Sequence, residues 1–227
     1  MGLRARARRM VRDAWRAPDR LMHAHRRATL LARLRESAPP RRILFVCHGN
    51  IIRSPFAEHL ARAWLPPPLR GKIEFASAGF IGPGRPPPPE AIETALLWDI
   101  DLSSHRSRLL SVEELAYADL VLVVEPRQRR GVQYLGCPAR RIAVLGDLDP
   151  QPVESREIVD PFGRPGVVLL DSYRRIVRCV DALLGALAAR ASAPAGRHAG
   201  PTLPAALDPE HSWSRARTLG AGPEGIP

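Results

Sequence analysis

The chain has 227 residues, enough for one domain of about 150 residues with appendages, and its three cysteines make no disulfide framework, which points to a reducing compartment. The formal net charge is +11, and residues 1–42 carry +10 of it, with thirteen arginines against Asp13, Asp19 and Glu36. No stretch approaches the ~20 consecutive apolar residues of a membrane span, and the charged start has no apolar signal-peptide core, so a cytoplasmic protein is expected.

Residues 1–40 read as a basic, partly helical extension. Leu3, Met10, Val11, Ala14 and Trp15 fall at helical spacing among arginines, and after Pro18 a second pattern runs through Leu21, Met22, Leu31 and Leu34. Such an element suits an anionic membrane surface or an acidic partner, and nucleic acid is not expected; the plain alternative is a solvated, arginine-rich extension. Residues 41–190 form the expected domain. Short apolar runs at Ile43–Val46, Ile73–Ala76, Leu120–Val124 and Ile142–Leu145 read as strands. Between them Ser54–Leu65, Glu90–Trp98, Ser111–Tyr117 and Arg127–Leu135 read as helices, and Leu170, Tyr173, Val177, Val180, Leu184 and Leu187 mark a closing helix. The alternation predicts an α/β fold: a doubly wound open sheet of about four parallel strands, helices on both faces, and a ligand site at the carboxyl ends of the strands. Pro86–Pro89 reads as a stiff loop near that site. From 191 to 227 Ala, Pro and Gly dominate without periodicity, as in a disordered tail.

Chemistry concentrates directly after the first strand, where Cys47 to Pro55 read CHGNIIRSP. A turn from strand to helix aims successive backbone N–H groups and the positive end of the helix dipole at one point, which suits an oxyanion. Those donors and Arg53 stabilise a Cys47 thiolate, the reactive form of the nucleophile. Arg53 can grip two phosphate oxygens with a planar fork, a geometry lysine lacks. Ser54 is placed to donate its hydroxyl to Cys47 or to cap the helix that Pro55 opens. Gly49 and Asn50 are residue types that tolerate the left-handed backbone of such a cradle.

This segment resembles the active-site loop of the low-molecular-weight protein tyrosine phosphatases, with its C-x5-R-S signature behind the first strand. Further similar stretches follow in order: Phe75-Ala76-Ser77-Ala78-Gly79, Ile100 to Arg108, Ala118 to Leu122, and Asp160-Pro161-Phe162. The resemblance implies that Cys47 attacks phosphorus, that Arg53 and the loop residues His48, Gly49, Asn50, Ile51, Ile52 and Ser54 hold the phosphate, and that Asp160 is the general acid. It also implies that Asn50, Ser77 and His105 hold the loop by hydrogen bonds, that Phe162 lines a slot for an aromatic leaving group, and that no metal or cofactor takes part. The expected substrate is phosphotyrosine in a protein, in bacterial members often a kinase of capsule or exopolysaccharide export.

Within the family, Ile51 stands where tyrosine phosphatases usually carry isoleucine and phosphoarginine phosphatases threonine. Leucine or threonine is common at the place of His48, and many members have a second cysteine where this chain has Ile52. Alternative readings are a small-molecule or phosphoarginine phosphatase on the same scaffold and a non-catalytic phosphate-binding module. A thioredoxin-coupled arsenate reductase needs two further closely spaced cysteines, and Cys137 and Cys179 are far apart in sequence.

Overall fold

The structure, a computed structural model, describes residues 3–36 and 39–191, with side chains described for residues 20–36 and 39–189. Of the tail expected at 191–227, residues 192–227 lie outside the described residues, as do the side chains of the first arginine-rich stretch.

Four parallel strands, β1 (Arg42–Cys47), β2 (Glu74–Gly79), β3 (Leu120–Val123) and β4 (Ile142–Val144), lie in the order β2-β1-β3-β4. The helices are α1 (Leu3–Glu36), α2 (Arg53–Ala63), α3 (Pro89–Ala95), α4 (Val112–Tyr117), α5 (Gln128–Tyr134) and α6 (Gly166–Ala191). Strand alternation divides the apolar residues between two cores. Ile43, Phe45 and Cys47 face Phe56 and Leu60 of α2 and Tyr173 and Val180 of α6. Leu44 and Val46 point the other way, toward Leu115 of α4 and Val132 of α5. A strand covered on both faces has no polar side to show, which is why Ile43–Val46 is an unbroken apolar run.

The chain leaves β1 to one side for β2 and returns to the other side for β3, so the connections beyond these two neighbours part at the carboxyl end of β1. Cys47 is the last residue of that strand. β2 extends further than its apolar residues suggest. Ala76-Ser77-Ala78-Gly79 has little strand propensity, yet it pairs with β1 through to Cys47 opposite Gly79.

The extension is a single helix continuous across Pro18. Leu30, Leu31 and Leu34 are buried in the core on the α6 side, and α1 contacts α6 and the 3-10 turn Leu145–Leu148. His23 Nε2 donates to the Asp149 carbonyl at 2.9 Å, and Arg27 Nε to that of Leu148 at 3.3 Å. Leu30, Leu31 and Leu34 therefore face protein, whereas Leu21 and Met22 of the expected stripe are exposed. No helix of the described residues is long and apolar enough to cross a membrane.

Candidate active site

The loop from Cys47 to Arg53 is built around Asn50, whose backbone takes a left-handed φ of 51°. Asparagine tolerates that region because its short polar side chain can bond locally. Here it bonds widely: Asn50 Nδ2 donates to Ser54 Oγ at 2.9 Å and Ser77 Oγ at 2.8 Å, and Oδ1 accepts the Arg108 amide at 2.7 Å. The Asn50 carbonyl accepts from His105 Nε2 at 2.9 Å, while the Asn50 amide donates to Cys47 Sγ at 3.2 Å. Ser77 Oγ in turn donates to Glu58 Oε2 at 2.6 Å.

Two expectations need correction. Gly49 does not take a left-handed conformation. A Cβ there would stand 3.2 Å from Arg85 Nη2, which donates to the Gly49 carbonyl at 2.7 Å, so a side chain would press on that arginine. Ser54 does not cap α2, whose N-cap is Ile52; its hydroxyl donates to Cys47 Sγ at 3.0 Å. Gly79 imposes a further steric condition. A Cβ there would lie 2.8 Å from both Asn50 N and the His48 carbonyl oxygen, so the end of β2 can approach the loop only without a side chain.

Arg53 opens α2 and returns over the loop with 2% of its side chain exposed. Nη1 donates to Glu125 Oε1 at 2.7 Å and to the Ile158 carbonyl at 3.0 Å, and Nη2 stands 2.7 Å from Asp160 Oδ2. Glu125 follows β3, is fully buried, and also pairs with Arg127. Burial alone pushes its carboxyl up, but the hydrogen bonds and charges of Arg127 and Arg53 outweigh this and hold it below the ordinary carboxylate range.

Cys47, Ile51, Ile52, Arg53, Asp160 and Phe162 line a cavity of about 80 Å³, with His48, Gly49, Ile81 and Arg85 completing its rim. The sequence-proposed residues thus come together, with Asn50, Ser54, Ser77 and His105 behind the loop wall. Glu125, Glu58, Arg85 and Arg108 were not anticipated. Glu125 alone left a trace, as a charged residue directly behind the apolar run Leu120–Val124 at the carboxyl end of a parallel strand. A larger cavity of about 360 Å³, lined by Arg33, Pro39, Arg41, Asp119 and Arg140, lies at the amino ends of the strands and offers no nucleophile.

A thiol that accepts the Asn50 amide, a buried arginine and a facing carboxylate at the carboxyl end of a doubly wound sheet are the features of a phosphatase site. Residues 42–194 match the model of the family described as low molecular weight phosphotyrosine protein phosphatase, and the chain belongs to that family. A curated relative, the probable low molecular weight protein-tyrosine-phosphatase EpsP of Ralstonia nicotianae, is 36% identical over 144 residues, covering 62% of this chain and 91% of its own. Among solved structures, the tyrosine phosphatase AmsI of Erwinia amylovora aligns with a TM-score of 0.59 at 25% identity, over 67% of this chain and 96% of its own. The YwlE arginine phosphatase of Geobacillus stearothermophilus aligns with a TM-score of 0.57 at 28% identity, over 66% and 94%.

Proposed function

We propose that the protein hydrolyses phosphotyrosine in proteins through a cysteinyl-phosphate intermediate on Cys47. The observation that carries this reading is the convergence of Cys47, Arg53 and Asp160 on one small cavity, with the Asn50 amide already donating to Cys47 Sγ. The Cys47 thiolate attacks phosphorus, the bond to the phenolic oxygen breaks, and Asp160 gives its proton to the departing oxygen. The loop amides and the Nη2 edge of Arg53 hold the equatorial oxygens through the transition state. Asp160 then takes a proton from water, the water oxygen attacks phosphorus, and the S–P bond breaks to release phosphate. Ser54, already 3.0 Å from Sγ, stabilises the thiolate that leaves in this second step.

Substrate choice rests on the cavity walls. Ile51 and Ile81 are apolar, and Phe162, 64% exposed beside Asp160, offers a face to an aromatic ring. Asp160 is the one carboxylate among the residues lining the cavity that could meet a guanidinium. The likeness to YwlE keeps phosphoarginine as the second reading. The protein substrate we put first is a cytoplasmic tyrosine kinase of capsule or exopolysaccharide export, with the basic start of the chain turned toward anionic membrane.

Parallel release of phosphate from phosphotyrosine and phosphoarginine peptides, by the wild type and Cys47→Ser without added metal, tests the proposal. Turnover of phosphotyrosine by the wild type alone is the expected result. Preference for phosphoarginine moves the substrate to the second reading, and turnover by Cys47→Ser overturns the mechanism.

A further inference from the structure

Behind the loop, α2 carries Glu58 and His59 side by side, and the segment between α3 and α4 brings His105 against them. One ligand atom from each of these three residues lies within 4.8 Å of the others, and the two imidazole rings meet edge to face with centroids 6.0 Å apart. The phosphatase chemistry uses neither nitrogen of His59 and leaves Nδ1 of His105 unspent.

The tautomer of His105 is fixed by its partner. A carbonyl only accepts, so the 2.9 Å contact to the Asn50 carbonyl puts the proton on Nε2 and leaves the lone pair on Nδ1. Holding one ring nitrogen on a backbone carbonyl is how metal-binding histidines are oriented. Burial lowers the pKa of both His59 and His105, against the opposing pull of Glu58 and, for His105, of its hydrogen bond to Asn50. Glu58 is buried, and its Oε1 accepts from Arg62 at 2.6 Å, an arginine whose side chain is more than half exposed. A cation already sits on that carboxylate and can swing into solvent when another replaces it.

We propose that Glu58, His59 and His105 form a binding site for a divalent transition metal of the Zn²⁺ class, separate from the phosphate cradle. Two imidazole nitrogens and one carboxylate oxygen are a donor set that Zn²⁺ takes, with a water in the fourth position. Metal–ligand bonds of about 2.0–2.1 Å bring tetrahedral ligands closer together than 4.8 Å, so the side chains must close slightly. His59, on the half-exposed side of the cluster, has room to do so. Because His105 also holds Asn50, a metal on Nδ1 acts on the loop from behind while touching neither Cys47 nor substrate.

The test uses the full chain carrying Cys47→Ser, which removes the catalytic thiolate as a competing ligand, with and without His59→Ala. Titration of metal-free protein with Zn²⁺ by calorimetry, and with Co²⁺ by visible absorption, should show a single site with the bands of a tetrahedral nitrogen and oxygen environment. His59→Ala should weaken binding by about 10- to 100-fold or more. On the background with Cys47 intact, it should leave turnover in chelator-treated buffer unchanged and blunt any inhibition by Zn²⁺. Equal affinity in the presence and absence of His59, a thiolate-to-cobalt charge-transfer band, or no binding by the Cys47→Ser chain would each overturn the site.

Discussion

Arg53 Nη1 stands 2.7 Å from Glu125 Oε1, and neither side chain is more than 2% exposed. The pair joins the start of α2 to the end of β3, across the point where the sheet changes direction. It also divides the guanidinium into two edges. Nη1 is committed to Glu125 and the Ile158 carbonyl, while Nη2 meets Asp160, whose side chain is 34% exposed. Phosphate oxygens can therefore take the second edge without disturbing the first.

Removing the buried carboxylate should cost much more than its distance from phosphorus suggests. Glu125→Ala leaves Arg53 with an uncompensated buried charge and should destabilise the fold by about 3–5 kcal/mol, with a fall in kcat. Glu125→Gln keeps the shape and isolates the charge. Because the folded pKa of Glu125 is lowered, its contribution is fully present above the unfolded carboxyl value near 4.5 and is lost as pH falls through the lower folded value. The stability gap between wild type and Glu125→Gln should thus be constant from about pH 7 to 5 and close below about pH 4.5 in urea unfolding curves. A gap that stays constant at lower pH would show that the charge is not the source.

Leaving-group dependence separates the catalytic roles. Cys47→Ser should lose turnover yet bind phosphate or vanadate, whereas Arg53→Ala should lose both. Asp160→Ala should slow aryl phosphates by about 10²–10⁴-fold, with less loss for phenols of low pKa that leave without a proton. A uniform loss across leaving groups would assign Asp160 to binding instead of proton transfer.

The packing of α1 decides how the membrane proposal is tested. Deleting residues 1–40 removes Leu30, Leu31 and Leu34 from the core and the His23 contact to Asp149, so it should destabilise the protein whatever the arm does. Deleting residues 1–19 spares these contacts. That shorter chain should keep full activity and thermal stability while losing co-sedimentation with anionic vesicles, where each basic residue near the surface adds about 1 kcal/mol. Equal vesicle binding by both chains, or none by either, removes the arm from membrane attachment.

Oxidation should be poorly reversible. Peroxide converts the Cys47 thiolate to a sulfenic acid, which a neighbouring thiol can trap as a disulfide. Cys137 and Cys179 are both buried, and burial pushes both thiols up, which makes them poor resolving nucleophiles. Peroxide should inactivate the wild type with little recovery in dithiothreitol, bound phosphate should protect it, and Ile52→Cys, placing a thiol on the same cavity wall, should restore recovery. Full recovery of the wild type with a Cys47 disulfide in its peptide map would identify another resolving cysteine.

What the sequence showed of all this was local. Ile43–Val46 declared a two-sided strand because burial on both faces leaves no polar alternation, whereas Ser111, read as the first residue of a helix, is its cap and accepts the Glu114 amide at 3.2 Å. The nucleophile, arginine and acid were legible because they lie in recognisable segments of the chain. Glu125 and Glu58 were not, since their importance comes from partners 72 and 19 residues away. Of the apolar pattern read after Pro18, Leu31 and Leu34 are buried and Leu21 and Met22 are exposed, since spacing says only that a helix has a greasy side. Whether lipid or α6 covers it is decided by the rest of the molecule.

Asn50 has a partner for its amide, its carbonyl and both ends of its side chain, and none of these partners is a substrate atom. The conformational entropy of the loop is accordingly lost when the chain folds, not when phosphate arrives. An inorganic oxyanion, with no peptide to help it, should therefore find a loop whose shape needs no assembly, and its arrival should have only the Asp160 contact to Arg53 Nη2 to displace. A loop ordered in this way discriminates by rigidity: tetrahedral anions fit the amides as they stand, and planar ones such as nitrate or carboxylate leave donors unmatched.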